Sequence, residues 1–302
     1  MLQIVVLHFY RIAAGEVIQR PSSAVKELIE NSIDAGSTMI SLTIKGGGLQ
    51  SIQIQDNGHG IHKDDMLTVC NRFTTSKLTA YDDLKSIGTF GFRGEALASI
   101  TYVSKVMITS KTEDAPCAYK AKYSNGEMLP WDSGTPVQPK LCAGLTGTTV
   151  TIEDLFYNIS IRKKSFQNTN EEYQRVLDVV SRYSILYGDK GIFFVCKKHG
   201  QQVPDLVTTS STSSKENIGR VFGNHVVKEL VHVHGVDDEL NITVEGEVTN
   251  PSYSGKSGIF VLFINNRLIE CASLRKVIDG TYHDLFTQQV RPFVYLSIRL
   301  EP

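Results

Sequence analysis

None of the five cysteines, Cys70, Cys117, Cys142, Cys196 and Cys271, stands at CxxC spacing. That removes the usual zinc-site pattern and any disulfide framework, and the five read as reduced, mostly buried thiols of an intracellular protein. No stretch approaches 18 uninterrupted apolar residues, so no membrane-spanning helix and no membrane partner are expected. An excess of one charge is also missing: 31 Lys and Arg face 32 Asp and Glu, a formal net charge of -1. Without a global basic field, any nucleic-acid contact must come from a local patch. The phosphate-binding signature GxxxxGK[ST] is absent, as is the dinucleotide fingerprint GxGxxG. There are no internal repeats.

What remains is a chain of 302 residues, 41% apolar, long enough for one large or two medium domains. The apolar opening, Met1 to Tyr10, lacks a basic start and a cleavage site, and reads as an edge strand or irregular leader. Ser22 or Ser23 can cap a helix entered at Pro21, with Val25, Leu28, Ile29 and Ile33 at helical spacing and Gly36 at its end. Ile40, Leu42 and Ile44, then Ile52 and Ile54, alternate with polar residues about Gly46-Gly47-Gly48, which predicts a hairpin. Met66, Leu67 and Cys70 suggest a second helix, and a third begins near Glu95. Strands are expected from 102 to 150, with turns at Asn125-Gly126 and Ser133-Gly134. A long amphipathic helix over 171–186 follows, with Tyr173, Val176, Leu177 and Val180 on one face. Thr208 to Ser214 is a polar run suited to a linker or surface loop. Beyond it come a short helix, strands over 239–248 and 258–264, a helix over 273–286 and a strand over 294–300.

Three stretches carry chemistry. Glu27 and Asn31 lie four apart and share a helix face, while Val25, Leu28 and Ile29 point to the core. A carboxylate there can polarise a water for attack on phosphorus, and an amide oxygen suits Mg²⁺. The same face also reads as a solvated one with a Lys26–Glu30 pair. In Asp56-Asn57-Gly58-His59-Gly60, a buried Asp can accept a hydrogen bond from an exocyclic amino group, and Gly58 and Gly60 let backbone approach a ligand; the bland alternative is an Asn-Gly turn. His59 reads as an exposed turn residue. Gly91, Phe92, Arg93, Gly94, Glu95, Ala96 and Leu97 form a glycine-rich loop entering a helix, a junction that binds anions or merely turns the chain. The loop-rich stretch before it could close over a nucleotide, with Lys77 reaching phosphates. Thr148 can floor a base pocket or simply favour its strand. Arg162, Lys163 and Lys164, the densest basic cluster, are either a solvated surface or a DNA-backbone contact.

Arg11-Ile12-Ala13-Ala14-Gly15-Glu16-Val17-Ile18-Gln19-Arg20-Pro21, together with these stretches, resembles the N-terminal ATPase region of the MutL family of DNA mismatch-repair proteins. Arg72 to Lys77, Asp154-Leu155-Phe156-Tyr157-Asn158 and Phe263-Ile264-Asn265-Asn266-Arg267 extend the likeness over roughly residues 11 to 300. Details at Ile54 to Gly58 and at Ser273 to Lys276 are similar to the eukaryotic homologue that is the common subunit of MutL heterodimers. The resemblance implies an α+β chain: a gyrase/Hsp90/histidine-kinase/MutL-type ATP-binding α/β sandwich, followed by a ribosomal-protein-S5-like domain. The expected division is residues 1–205, a linker or loop over 206–214, and an S5-like domain over 215–302, incomplete at its C-terminus. It implies ATP and Mg²⁺ as ligands, Glu27 as general base and Asn31 as metal ligand. Asp56 would contact adenine, with Gly58 and Gly60 shaping the pocket. Thr75, Ser76 and Lys77 would lie in the ATP lid, and 91–97 would cradle phosphates. The expected partners are a second MutL homologue, a MutS-type mismatch-recognition complex and, weakly, the DNA backbone, in the nucleus. The implied activity is slow ATP hydrolysis that drives N-terminal dimerisation and couples mismatch recognition to downstream repair. Three departures accompany the likeness. Tyr10 stands where an Asn is usual, and Asn266 replaces a common Gly. The chain also stops before the family's His-Pro-x-Lys loop, whose lysine reaches the γ-phosphate, so an ATP- and partner-binding module of little turnover is the alternative.

Overall fold

The computed structural model describes residues 2–74, 89–91, 94–209, 213–250, 253, 255, 257–285 and 291–301, with backbone alone at 2–9 and 285. They fall into two compact units, Met1–Val180 with Ile192–Val207, and Ser181–Gly191 with Thr208–Pro302.

The first unit runs α1 (Leu2–Val17), α2 (Pro21–Asp34), β1 (Met39–Lys45), β2 (Ser51–Asp56), α3 (Ala96–Val103), β3 (Lys105–Lys111), β4 (Ala118–Ser124), β5 (Glu127–Leu129), β6 (Lys140–Cys142), β7 (Gly147–Glu153), α4 (Ser160–Ser165), α5 (Thr169–Gly188), β8 (Phe193–Lys198) and β9 (Leu206–Val207). Its nine-stranded sheet has the order β5-β4-β3-β7-β2-β1-β8-β9, with β6 also on β4. The alternation in β1 and β2 does form an antiparallel hairpin, Leu42 opposite Ile54 and Ile44 opposite Ile52. Period-2 patterning sends Ile40, Leu42, Ile44, Ile52, Ile54, Ile108, Val150 and Ile152 to one buried face. Helices α2 and α3 pack on that face against β2 and β3. The other face is solvent-open and polar, with Ser41, Thr43, Gln53, Gln55, Thr149 and Thr151 across it. Helix α5 buries Tyr173, Val176 and Val180.

In the second unit, α6 (Ser214–Phe222) and α7 (Asn224–Val227) precede β10 (Leu230–Asp237), β11 (Ile242–Thr249), β12 (Ile259–Ile264), β13 (Arg267–Leu268), α8 (Ala272–Leu285) and β14 (Phe293–Leu300). The sheet order is β10-β11-β14-β12-β13. Between β12 and β13, Asn265 and Asn266 take φ of 46° and 65°. Asparagine tolerates that left-handed region, so Asn266 makes the turn that a glycine would also make. Asn265 then accepts from Leu300 N at 2.8 Å and donates to Leu300 O at 3.1 Å, bracing β14.

Three local expectations are corrected. Residues 2–10 belong to α1, neither an edge strand nor an irregular leader; their composition favours strand locally, but α1 packs along α3, with Tyr10 against Tyr102 at 5.5 Å between ring centroids. Neither Ser22 nor Ser23 caps α2, because Pro21 takes the first helical position behind an extended Arg20. The helix expected at 66–70 is a single 3-10 turn at Asp65–Leu67. Met66 and Cys70 are buried there, but Leu67 is exposed, so no helical apolar stripe exists. The five cysteines are free, two buried and three half-buried.

Gly147 opens β7 at φ 118°, and a Cβ there would lie 2.1 Å from Asp56 O. Gly147→Ala should therefore cost at least about 2 kcal/mol, read from urea unfolding. Gly134→Ala, at φ 83° with open space around it, should cost only about 1 kcal/mol. Equal losses would refute the close-approach argument.

Candidate functional site

Asp56 is the last residue of β2 and continues the inward series Ile52, Ile54, so strand periodicity seats a carboxylate in a core position. It is 7% exposed. Oδ1 accepts from Gly58 N at 2.9 Å and Thr148 N at 3.3 Å, and Oδ2 accepts from Ser32 Oγ at 3.0 Å. A carboxylate offers about four acceptor positions; these bonds take three, and Ser37 also draws on the carboxylate. Burial pushes its pKa above the usual carboxylate value, against the opposing pull of Gly58, Ser32, Thr148 and Ser37.

The surrounding turn is fixed backbone by backbone. Asn57 Oδ1 accepts from Thr38 N at 2.9 Å and Met39 N at 2.8 Å, tying the end of β2 to the start of β1. A Cβ on Gly58 would strike Ala35 O at 2.7 Å, and one on Gly60 (φ 78°) would strike Lys111 O at 2.2 Å. Ser110 Oγ donates to Gly147 O at 3.0 Å and accepts from Ile61 N at 2.8 Å, and lies 2.9 Å from Thr148 Oγ1. Ser110 and Ser32 are contacts that sequence patterning does not single out; each is an ordinary polar residue until the strands pair. His59 is exposed, its Nδ1 2.7 Å from Gly60 O.

Helix α2 brings Glu27 and Asn31 to a half-buried face, one turn apart, while Val25, Leu28 and Ile29 are buried. The expected Lys26–Glu30 pair is present at 3.8 Å. At the end of the same helix, Asp34 accepts from Phe90 N and Gly91 N, both at 3.0 Å. The Gly91 amide is thus held within the protein, and the anion-binding capacity falls to the entry of α3. Glu95 stands at its N-cap without a side-chain cap bond, so its own side chain does not satisfy the first-turn amides of α3. Glu95 pairs with Arg72 at 3.1 Å, Phe73 N donates to Gly94 O at 3.1 Å, and a Cβ on Gly94 (φ 59°) would meet Thr74 O. The two ends of the intervening segment are therefore held side by side. Thr75, Ser76, Lys77, Phe92 and Arg93 lie outside the described residues.

A cleft of about 540 Å³ adjoins this turn, lined by Gly36, Asn57, Gly58, His59, His62 and Asp114 among others. Asp56, Glu27 and Asn31 do not line it, and Gly58 is the residue common to the cleft and the Asp56 cluster.

The basic cluster splits. Arg162 turns inward: its guanidinium donates to Gly15 O and, at 3.4 Å, to Ile18 O, and lies 5.5 Å from the Phe156 ring. It caps the C-terminal end of α1, and a Cβ on Gly15 would sit 2.6 Å from its Nη1. Lys163 and Lys164 are exposed.

Comparison with known proteins adds the following. Residues 19–129 match the family described as "Histidine kinase-, DNA gyrase B-, and HSP90-like ATPase", and residues 218–302 the family described as "DNA mismatch repair protein, C-terminal domain". "DNA mismatch repair protein MLH1" of Saccharomyces cerevisiae is 44% identical over 97% of this chain and 37% of its own length. "DNA mismatch repair protein MutL" of Staphylococcus aureus is 38% identical over 97% of this chain and 42% of its own. The chain thus spans about two-fifths of these relatives. Among solved structures, "Crystal Structure of N terminal domain of a DNA repair protein" superposes with a TM-score of 0.79 at 28% identity, over 97% of this chain and 88% of that one. "Aquifex aeolicus MutL ATPase domain complexed with ADP" gives 0.66 at 24%, over 95% and 94%, a likeness of fold. The fold is the ATP-binding α/β sandwich of that ATPase class, followed by the S5-like domain.

Two outcomes follow from this geometry. Asp56→Asn keeps an acceptor for Gly58 and Thr148 and removes the buried charge. Because burial raises the folded pKa, the wild-type carboxyl is most favourable when protonated, and that contribution is lost as pH rises through the raised value. The variant should therefore gain stability relative to wild type from pH 4 towards 8 in denaturant titrations, and a constant difference would refute the raised pKa. Arg162→Ala should cost roughly 1.5–3 kcal/mol of stability, whereas Lys163→Ala and Lys164→Ala should stay within about 0.5 kcal/mol.

Proposed function

This chain belongs to the MutL family of DNA mismatch-repair proteins, and we propose that its first unit binds Mg²⁺–ATP, hydrolyses it slowly, and uses the cycle as a switch in repair. The observation that carries the reading is Asp56: a carboxylate in a core register, held by α2, the turn after β2 and the start of β7 beside the turn glycines. A buried carboxylate is an acceptor that matches an adenine amino group, and a base without that group would forgo the bond.

The donor set around it fits the nucleotide. Gly58 and Gly60 keep the turn free of side chains, and Thr148 floors the pocket from β7. The uncapped entry of α3, Gly94 to Leu97, faces phosphate with its amides and the positive end of the helix. Thr75, Ser76 and Lys77, with Phe92 and Arg93, complete the phosphate side as lid and cradle. Asn31 supplies an oxygen to Mg²⁺, which when bound screens the phosphate charge and orients the chain of phosphates. Glu27, one turn earlier on the same rigid helix, takes the proton from the attacking water. Its position on a helix anchored by Val25, Leu28 and Ile29 holds that geometry without help from a loop.

In this reading nucleotide binding brings two N-terminal regions together, one from a second MutL homologue, in the nucleus and in response to a MutS-type complex. The link to the S5-like unit is shorter than 206–214, running between β9, which ends at Val207, and α6, which opens at Ser214. Lys163 and Lys164, exposed on α4, meet the DNA backbone weakly and without sequence preference.

Glu27→Ala should lower ATP hydrolysis by about 10²–10⁴-fold with nucleotide binding retained. Asn31→Ala should remove the Mg²⁺-dependent part of the affinity. Undiminished turnover in Glu27→Ala would overturn the assignment of the base.

A further inference from the structure

Across the sheet from Asp56, on its solvent-open face, three lysines converge on one indole. Lys122 Nζ lies 4.6 Å, Lys120 Nζ 5.4 Å and Lys140 Nζ 5.8 Å from the centre of the Trp131 ring. The register explains the cluster. Lys120 and Lys122 alternate outward on β4, and Lys140 on β6 stands directly opposite Lys120. Trp131 leaves β5 two residues after Leu129, which pairs with Lys122.

Elsewhere in this unit cations find carboxylates: Lys105 reaches Asp154 at 2.8 Å, Arg72 reaches Glu95, and Arg175 reaches Glu171. Among the described residues none places a carboxylate within ion-pair distance of Lys120, Lys122 or Lys140. Cation–π contact offsets part of their mutual repulsion, but the indole is neutral and brings no opposite charge to the cluster. The Trp131 Nε1 donor is buried and has no acceptor. Beside the cluster the same face continues as Thr109 and Met107, then Thr149 and Thr151, then Gln55 and Gln53. Apart from the exposed Met107 these residues are uncharged polar groups that offer hydrogen bonds, and the two rows carry no negative charge.

We infer that this sheet edge is a docking surface for a single strand of nucleic acid, with Trp131 as a stacking platform and Lys120, Lys122 and Lys140 on successive phosphates. Three cations spread over two strands match a polyanion better than one small anion. The indole selects a single strand over a duplex, because a base must be free of its own stack to lie on the ring. The proposal is independent of the nucleotide site, which lies on the opposite face of the sheet, and of Lys163 and Lys164 on α4.

The chain holds one tryptophan, so its fluorescence reports on this spot alone. Titration with a 20-residue oligo-dT should quench Trp131 saturably, with affinity falling as salt rises. In Lys120→Gln/Lys122→Gln/Lys140→Gln, the log–log salt slope, followed by anisotropy of a labelled oligo-dT, should fall by about 2, as for three lost phosphate contacts on a single strand. The thermal midpoint of that variant should be unchanged or higher, since repulsion is removed. Trp131→Phe should weaken binding less than the triple change, and Lys163→Gln/Lys164→Gln should leave the quenching intact. An unchanged salt slope in the triple variant, or binding that leaves Trp131 emission unaltered, would overturn the proposal. Equal quenching by poly-glutamate would also overturn it and point to an acidic protein partner instead.

Discussion

The first unit is organised around one unfavourable placement, a carboxylate in a position that strand periodicity reserves for the core. Asp56 is tolerated there because α2, the turn after β2 and the start of β7 each give it a hydrogen bond. Burying a carboxylate without such partners would cost several kcal/mol. The bonds that stabilise the charge also fix where three elements meet. Gly58, Gly60 and Gly147 follow from it, since the backbones that reach Asp56 pass too close to their neighbours for any Cβ. The carboxylate is then a polar acceptor in an otherwise apolar layer, and that contrast is the basis of the nucleotide reading.

A second constraint acts at the other end of α2. Asp34 holds Phe90 N and Gly91 N, while Arg72 holds Glu95. The glycine-rich loop is therefore attached at one end to the helix that carries Glu27 and Asn31, and at the other, through Glu95, to Arg72. Arg162 plays a comparable part for α1, reaching back 147 residues to its terminal carbonyls. The glycine in Ala14-Gly15-Glu16 is explained by that contact, because a larger residue would displace the guanidinium.

Much of this was legible in the chain alone. Alternation in 40–54, helical spacing in 25–33 and 173–180, and the turn asparagines announced elements that the structure contains, because side-chain period depends only on local backbone geometry. The placement of Glu27, Asn31 and Asp56 was legible for the same reason: i,i+4 spacing on a helix and strand parity decide which face a residue takes. Where the sequence misled, a distant partner had overridden a local preference. The apolar leader joined a helix against α3, the serines after Pro21 left the cap to backbone, and the apolar residues at 66–70 lacked a common face.

What the sequence determined by itself is the inventory and the parity: which residues carry charge, which alternate, and which can take a left-handed turn. Tertiary structure decided the pairings, because they join residues far apart in the chain. Thr148 meets Asp56, Ser110 meets Ile61, and Lys140 meets Lys120 only once strands lie in register. No local period encodes that register; it is set by which apolar rows can be buried together. The tertiary fold also turned Arg162 of the basic-looking surface over 162–164 into a helix cap, and gathered three lysines, scattered over 21 residues of chain from Lys120 to Lys140, around a single indole.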